Sequence, residues 1–137
     1  SYFEKDQIPS LEDIPALEKM FSHHQFFLTS LESHIPGENW VCVHGGIAQD
    51  FGDAELEKHD LEQLVFLRFN KTAGDHGWQN KTVICGHYVV GDRPVAGKNT
   101  IAIDTGAWTD NGRLTALNLD DYSYIQDNGR SGIVALQ

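Results

Sequence analysis

The sequence predicts an α/β fold weighted toward strands in its second half, and two observations carry that prediction. Three short apolar runs, Trp40-Val41-Cys42-Val43, Thr82-Val83-Ile84-Cys85 and Thr100-Ile101-Ala102-Ile103, each stop at a turn containing glycine. Runs this short and uniformly apolar suit strands covered on both faces. Apolar residues at helical spacing precede the first run and separate it from the second. At 137 residues, 40% of them hydrophobic, the chain has material for one ordinary core and none to spare for a second domain.

The elements follow in order. Ile14, Leu17, Phe21, Leu28 and Leu31 step by three and four, with His24 filling one slot, so the first third reads as a helix with an apolar stripe. Ser10 and Asp13 resemble a capping box, and Pro15 is tolerable only near a first turn. The helix should begin between Leu11 and Pro15 and stop by Pro36-Gly37. A second helix is expected over 55–69, with Leu56, Leu64 and Leu67 as its apolar side. The three apolar runs are strands. Leu114–Leu119 and Tyr122–Gln126 alternate well enough to be antiparallel or edge strands, separated by Asp120-Asp121.

Charge narrows the function classes. Ten Lys and Arg stand against twenty Asp and Glu, a formal net charge of −10. Phosphate contacts need clustered cations, so a nucleic-acid surface and polybasic docking to lipid are both disfavoured. No stretch approaches the roughly 20 apolar residues of a membrane span. Two cysteines, Cys42 and Cys85, cannot make a staple framework, and a reduced, cytoplasmic setting is expected.

The chemistry-bearing residues lie at the strand ends. His44 is followed by Gly45-Gly46, and His87 is preceded by Gly86. Glycine there lets backbone or ligand approach without a Cβ in the way. Two neutral imidazoles from neighbouring strand ends could share one ion; the plainer alternative for each is a turn residue bonded to a carbonyl. Cys42-x-His44 and Cys85-x-His87 also repeat one spacing, which would allow a two-cysteine, two-histidine zinc site. A buried thiol inside an apolar run is more ordinarily core. Arg68, near a helix end, either covers that end or offers a planar fork to phosphate. His23 and His24 read as helix-surface and core-edge residues. His34, His59 and His76 read as solvated, and Asp50, Asp53, Glu55, Glu57 and Asp60 as a solvated acidic face.

Taken in sequence, these segments resemble one family. Val41-Cys42-Val43-His44-Gly45-Gly46-Ile47 resembles the V-H-(A/G)-G-(I/L) segment of the calcineurin-like metallophosphoesterases. The nearest branch is that of bacterial and phage serine/threonine phosphatases and diadenosine-tetraphosphatases. Val83 to His87 resembles its G-H-T segment. Ile101 to Ala107, with Gly112 to Leu117, resembles its I-x-I-D-T-G-(A/C)…G-x-L-T-A-L ending. Leu64 to Phe69 resembles its L-L-W-(I/V)-R-x-x-F helix, and Ser1-Tyr2, Ile14-Pro15 and Phe27-Leu28 with Leu31 resemble its opening.

The resemblance implies a β-sandwich flanked by helices, four layers deep as α/β/β/α, of which residues 1–137 are the C-terminal portion of a single domain. It implies a hydrolase using two divalent ions, Mn, Fe, Ni or Zn, that cleaves phosphate esters through a metal-bridging hydroxide. His44 and His87 would ligate the second metal, Arg68 would grip a phosphate oxygen catalytically, and Tyr88 would line the substrate cleft. Asp104 would fix a loop rather than bind metal. Substrates would be a phosphoprotein or a dinucleoside polyphosphate; a non-catalytic binding module of the same fold is the alternative.

The family's G-D-x-H-G, G-D-x-x-D-R-G and G-N-H-(E/D) motifs occur nowhere in the sequence, and Tyr88 stands where the family usually has Thr. The chain is therefore expected to be a fragment with at most one weak metal site. It should leave apolar surface and strand edges open, and be inactive without a missing N-terminal half or a partner chain.

Overall fold

The computed structural model describes residues 22–47, 61–68, 78 and 80–136. The chain divides between Glu32 and Ser33 into two compact units. In the first, α1 spans Ser22–Thr29. The expected start of this helix lies outside the described residues; its end at Thr29 falls within the bound set by Pro36-Gly37 but short of Leu31, the last residue of the expected stripe. The Thr29 and Ser30 hydroxyls donate to the carbonyls of Phe26 and Phe27 at 3.0 and 2.7 Å, and close the last turn. Short hydroxyl side chains compete in this way with the helical ladder. Of the expected stripe, Leu31 falls beyond the helix and is exposed, as is His24.

The second unit is a mixed α/β structure of two sheets with very little helix. Its larger sheet has the order β1-β2-β3-β5-β4, where β1 is His34–Pro36, β2 Trp40–Val43, β3 Thr82–Cys85, β4 Val95–Ala96 and β5 Thr100–Ala102. The central β2, β3 and β5 are parallel, and the edge strands β1 and β4 run antiparallel to them. The three apolar runs thus occupy the middle of one sheet, where both faces are covered. The smaller sheet is an antiparallel meander of β6 (Thr115–Leu117), β7 (Ser123–Gln126) and β8 (Ser131–Ile133). Both alternating segments of the sequence are found in it.

Three strands were not expected. His34–Pro36, a stretch with no strand signal in the sequence, pairs with β2, His34 opposite Val43. His34 is accordingly half-buried and hydrogen-bonded to the Ser33 hydroxyl at 3.0 Å, not solvated. Strands β4 and β8 are two and three residues long, too short to show a period. Among the described residues the second helix, α2, is Leu61–Phe66, ending before the expected residue 69.

Two apolar clusters hold the unit together, one on each face of the larger sheet. Val41, Val43, Val83, Cys85 and Ala102 pack with Leu64 of α2, Ile47 and Trp78. Ile84, Ala96 and Ile101 pack against Tyr124 of the smaller sheet and Val134, which follows its last strand. The two sheets therefore stack face to face, the ordinary way to bury two inner faces, with α2 on the opposite side of the larger one. Tyr122, at a positive φ of 57°, donates from its hydroxyl to Thr82 at 2.9 Å across this junction. Gln126 donates to the Asp92 carbonyl at 3.0 Å, and Arg130 reaches the Asp92 carboxylate at 2.6 Å. That hydrogen bond holds the Asp92 carboxyl below its usual range. On the outer face of the smaller sheet Leu114, Ile125 and Ile133 are exposed. Among the described residues no helix is long and apolar enough to cross a membrane.

These two classes of isoleucine should behave differently. Ile101, with 0% of its surface exposed, should lose about 2–5 kcal/mol of stability as Ile101→Ala. Ile125, 58% exposed, should lose well under half of that as Ile125→Ala. Urea denaturation of both variants checks the stacking, and equal losses would contradict it.

Candidate functional site

The parallel strands β2 and β3 end side by side, and each is followed by a histidine. The ladder continues one step past the strands, because the Gly86 amide donates to the His44 carbonyl at 2.8 Å. This bond fixes the separation of the two chains where the imidazoles emerge. His44 Nε2 and His87 Nδ1 then lie 3.2 Å apart, with ring centroids at 5.0 Å and planes tilted by 59°. Carboxyl ends of parallel strands are the usual place for ligands in such sheets.

The backbone at His87 is unusual. Its φ is 63°, and the Tyr88 amide donates to the Gly86 carbonyl at 2.7 Å. A bond from residue i+2 back to i around a positive φ is the rarer, strained form of γ-turn. Strain of this kind costs of order 1–3 kcal/mol and persists only where the surroundings enforce it. Here it swings the His87 ring back toward His44.

The end of α2 braces both histidines. Gly45 donates to the Leu64 carbonyl at 2.6 Å, and Gly46 points to the same oxygen at 3.4 Å. That carbonyl would otherwise accept the Arg68 amide in a continuing helix, which explains why α2 stops at Phe66. A Cβ on Gly45 would lie 2.6 Å from the Val65 carbonyl oxygen and 2.9 Å from the Leu67 nitrogen, so only glycine permits this approach. Phe66 then sets its ring against His87, centroids 5.9 Å apart and planes at 75°. Arg68 follows two residues later, exposed and, among the described residues, without an ion-pair partner. Tyr88 is likewise exposed.

The sequence-derived residues are thus brought together in part. His44 and His87 converge, and Arg68 and Tyr88 each lie within two positions of a residue of the cluster. Asp104, at the end of β5, accepts from the Gly106 amide at 2.9 Å and so fixes its own loop. The contact of Phe66 with His87 had no place in the sequence reading. Its signal was positional: Phe66 falls off the face shared by Leu64 and Leu67, so it had to point elsewhere. His59, His76 and the acidic positions Asp50, Asp53, Glu55, Glu57 and Asp60 lie outside the described residues, and of His23 only the backbone is described.

The residues suit a divalent ion in one respect. His44 Nε2 and His87 Nδ1, 3.2 Å apart and within hydrogen-bond reach of each other, are both nitrogens that could ligate one ion. Among the described residues no group of three or more His, Cys, Asp or Glu is placed to hold a metal.

A zinc site using both cysteines is excluded by the sheet. Cys42 pairs with Ile84, one position out of step with Cys85. Cys85 consequently packs in the cluster beneath α2, while Cys42 faces the smaller sheet. Burial pushes the Cys85 thiol up from 9.0 to about 12, and burial also raises that of Cys42. Neither is a ready thiolate.

Two predictions follow from this geometry. A folded-state thiol held protonated adds stability that is complete below the unfolded value near 9 and is lost as pH rises toward about 12. In that window the Cys85 contribution should fall by about 1.4 kcal/mol per pH unit. Cys85→Ala should flatten this part of the stability–pH curve, measured by urea denaturation from pH 8 upward; an unchanged slope would contradict the burial. Gly45→Ala should cost about 1–3 kcal/mol by overpacking. It should also separate the imidazoles, seen as loss of the contact between the His44 and His87 rings in NMR spectra.

Compared with family models, curated proteins and solved structures, the chain matches none of them.

Proposed function

We propose that His44 and His87 form the imidazole half of a two-metal phosphoesterase centre of the serine/threonine-phosphatase type. The observation that carries this reading is the 3.2 Å approach of His44 Nε2 to His87 Nδ1 at the ends of adjacent parallel strands. The ordered family-like segments of the sequence support it, as does the stacking of two sheets with α2 on one outer side. The four-layer α/β/β/α sandwich, with residues 1–137 as its C-terminal portion, belongs to the same proposal.

In this reading His44 and His87 hold one divalent ion through those two nitrogens. Arg68 holds an equatorial phosphate oxygen with its guanidinium fork, balancing the charge that phosphoryl transfer spreads over those oxygens. Tyr88 lines the cleft beside them. Paired divalent ions supply Lewis acidity and an activated water to such a reaction. The strained turn at His87 and the bond from Gly45 to Leu64 keep the imidazoles placed before any ligand arrives. Neutral imidazoles bring no charge to offset a dication, so a complementary segment or chain must contribute carboxylates. Without them the ion is held weakly and phosphoesters are not turned over. The substrate is a phosphomonoester on protein; a dinucleoside polyphosphate fits the same phosphate-binding groups.

Calorimetric titration with Mn²⁺ tests this. A single weak site is expected, lost in His44→Ala and in His87→Ala but retained in Arg68→Ala. Absent heat, or heat indifferent to both histidine substitutions, would turn the reading toward a non-catalytic binding module.

A further inference from the structure

One tetrapeptide occurs twice in the sequence, as Asp110-Asn111-Gly112-Arg113 and as Asp127-Asn128-Gly129-Arg130. An asparagine followed by glycine is able to cyclise, because no side chain on the next residue keeps its backbone nitrogen from the side-chain amide. Identical tetrapeptides share that intrinsic chemistry, so a difference between them must come from the fold. The fold separates them sharply.

The first copy is clamped. A Cβ on Gly112 would run into the Gly106 carbonyl, so this glycine lies hard against the Gly106 backbone. The Gly112 amide donates to the Thr109 carbonyl at 3.1 Å, and the Arg113 amide donates to the Thr105 carbonyl at 3.0 Å. The Arg113 guanidinium donates to the Gly112 carbonyl at 2.6 Å. Among the described residues no group hydrogen-bonds the Asn111 side chain.

The second copy forms the open loop between β7 and β8. Gly129, at a φ of 81°, takes the left-handed position of a three-residue hairpin loop, and a Cβ there would meet nothing within 4 Å. Its amide donates to the Gln126 carbonyl at 2.9 Å, a bond that can open because nothing packs on this glycine. Asn128 is exposed, and its Oδ1 accepts from the Arg130 amide at 3.0 Å. A donor on that oxygen polarises the side-chain carbonyl and stabilises the oxyanion formed when a nucleophile adds to Cγ.

We infer that Asn128 is a site of spontaneous deamidation in the folded protein, and that the fold protects Asn111. The Gly129 backbone nitrogen attacks Asn128 Cγ. A new N–C bond forms, the Cγ–Nδ2 bond breaks, and ammonia departs with the proton that Gly129 gave up. Water then opens the five-membered imide, at Cγ to give aspartate or at the main-chain carbonyl to give isoaspartate. Either product adds a carboxylate beside Asp127 on a chain already at −10. Isoaspartate also puts one more methylene into the main chain of the loop that carries Arg130. The Arg130 guanidinium bonds the Asp92 carboxylate at 2.6 Å, so the modification falls on a tie between the smaller sheet and the segment after β3. None of this depends on the phosphoesterase reading.

Peptide mapping of the whole chain, aged in mildly alkaline buffer either folded or in urea, tests the inference. Trypsin cuts after Lys98, Arg113 and Arg130, so the two copies close separate fragments, 99–113 and 114–130. Mass spectrometry with fragmentation then places aspartate or isoaspartate at each asparagine. In urea both copies should convert at similar rates. In the folded chain Asn128 should convert while Asn111 stays intact. Gly129→Ala should slow conversion at Asn128 in both states, because the added methyl crowds the attacking nitrogen whatever the fold. Equal conversion of the two asparagines in the folded chain would overturn the inference. So would an Asn128 that folding preserves as fully as Asn111, or one whose conversion is indifferent to Gly129→Ala.

Discussion

The arrangement of this site depends on how β2 and β3 are registered. Trp40 lies opposite Thr82, Val41 opposite Val83 and Cys42 opposite Ile84. The bond from the Gly86 amide to the His44 carbonyl extends that register beyond the strands. A slip by one residue would turn every side chain of β2 to the other face, putting Cys42 where Val41 and Val43 now lie. The cost would be borne by both apolar clusters, since Val41 and Val83 are wholly buried on one side while Ile84 packs on the other. Core packing therefore fixes the register, and the register fixes where the two histidines begin.

From there the two imidazoles reach each other by different means. His44 leaves β2 and is steadied from behind, where Gly45 admits the carbonyl side of α2. His87 needs the backbone itself to turn, and does so through a positive φ that β-branched or bulky residues rarely accept. The same end of α2 that stops at Gly45 and Gly46 presents Phe66 to the His87 ring. One short helix, ended by a diverted carbonyl, thus serves both histidines. Pre-placed groups of this kind spare the cost of ordering them when a ligand binds.

Much of the central sheet was legible in the sequence, because its three strands are apolar on both faces and end at glycine turns. The pair His44 and His87 was legible for the same reason, since matching runs imply matching ends. The extent of the first helix was not. Its apolar spacing runs on to Leu31, but the hydroxyls of Thr29 and Ser30 bond back to the chain and end it. Periodicity contains no term for that competition. The end of α2 was hidden more deeply, because it depends on an acceptor captured by Gly45 from a distant part of the chain. Strands β1, β4 and β8 exist through pairing with neighbours and are too short to carry a pattern of their own. The equal spacing of Cys42-His44 and Cys85-His87 was misleading, because equal spacing within two strands does not make their register equal.

The central claim is that His44 Nε2 and His87 Nδ1 meet on a single cation. Long-range proton–nitrogen NMR spectra of the two imidazoles, recorded while Zn²⁺ is added, address it most directly. The account predicts that these two nitrogens shift together, along one titration curve, while the other nitrogen of each ring keeps or gains its proton. Shifts confined to one ring, or two curves with different midpoints, would contradict it.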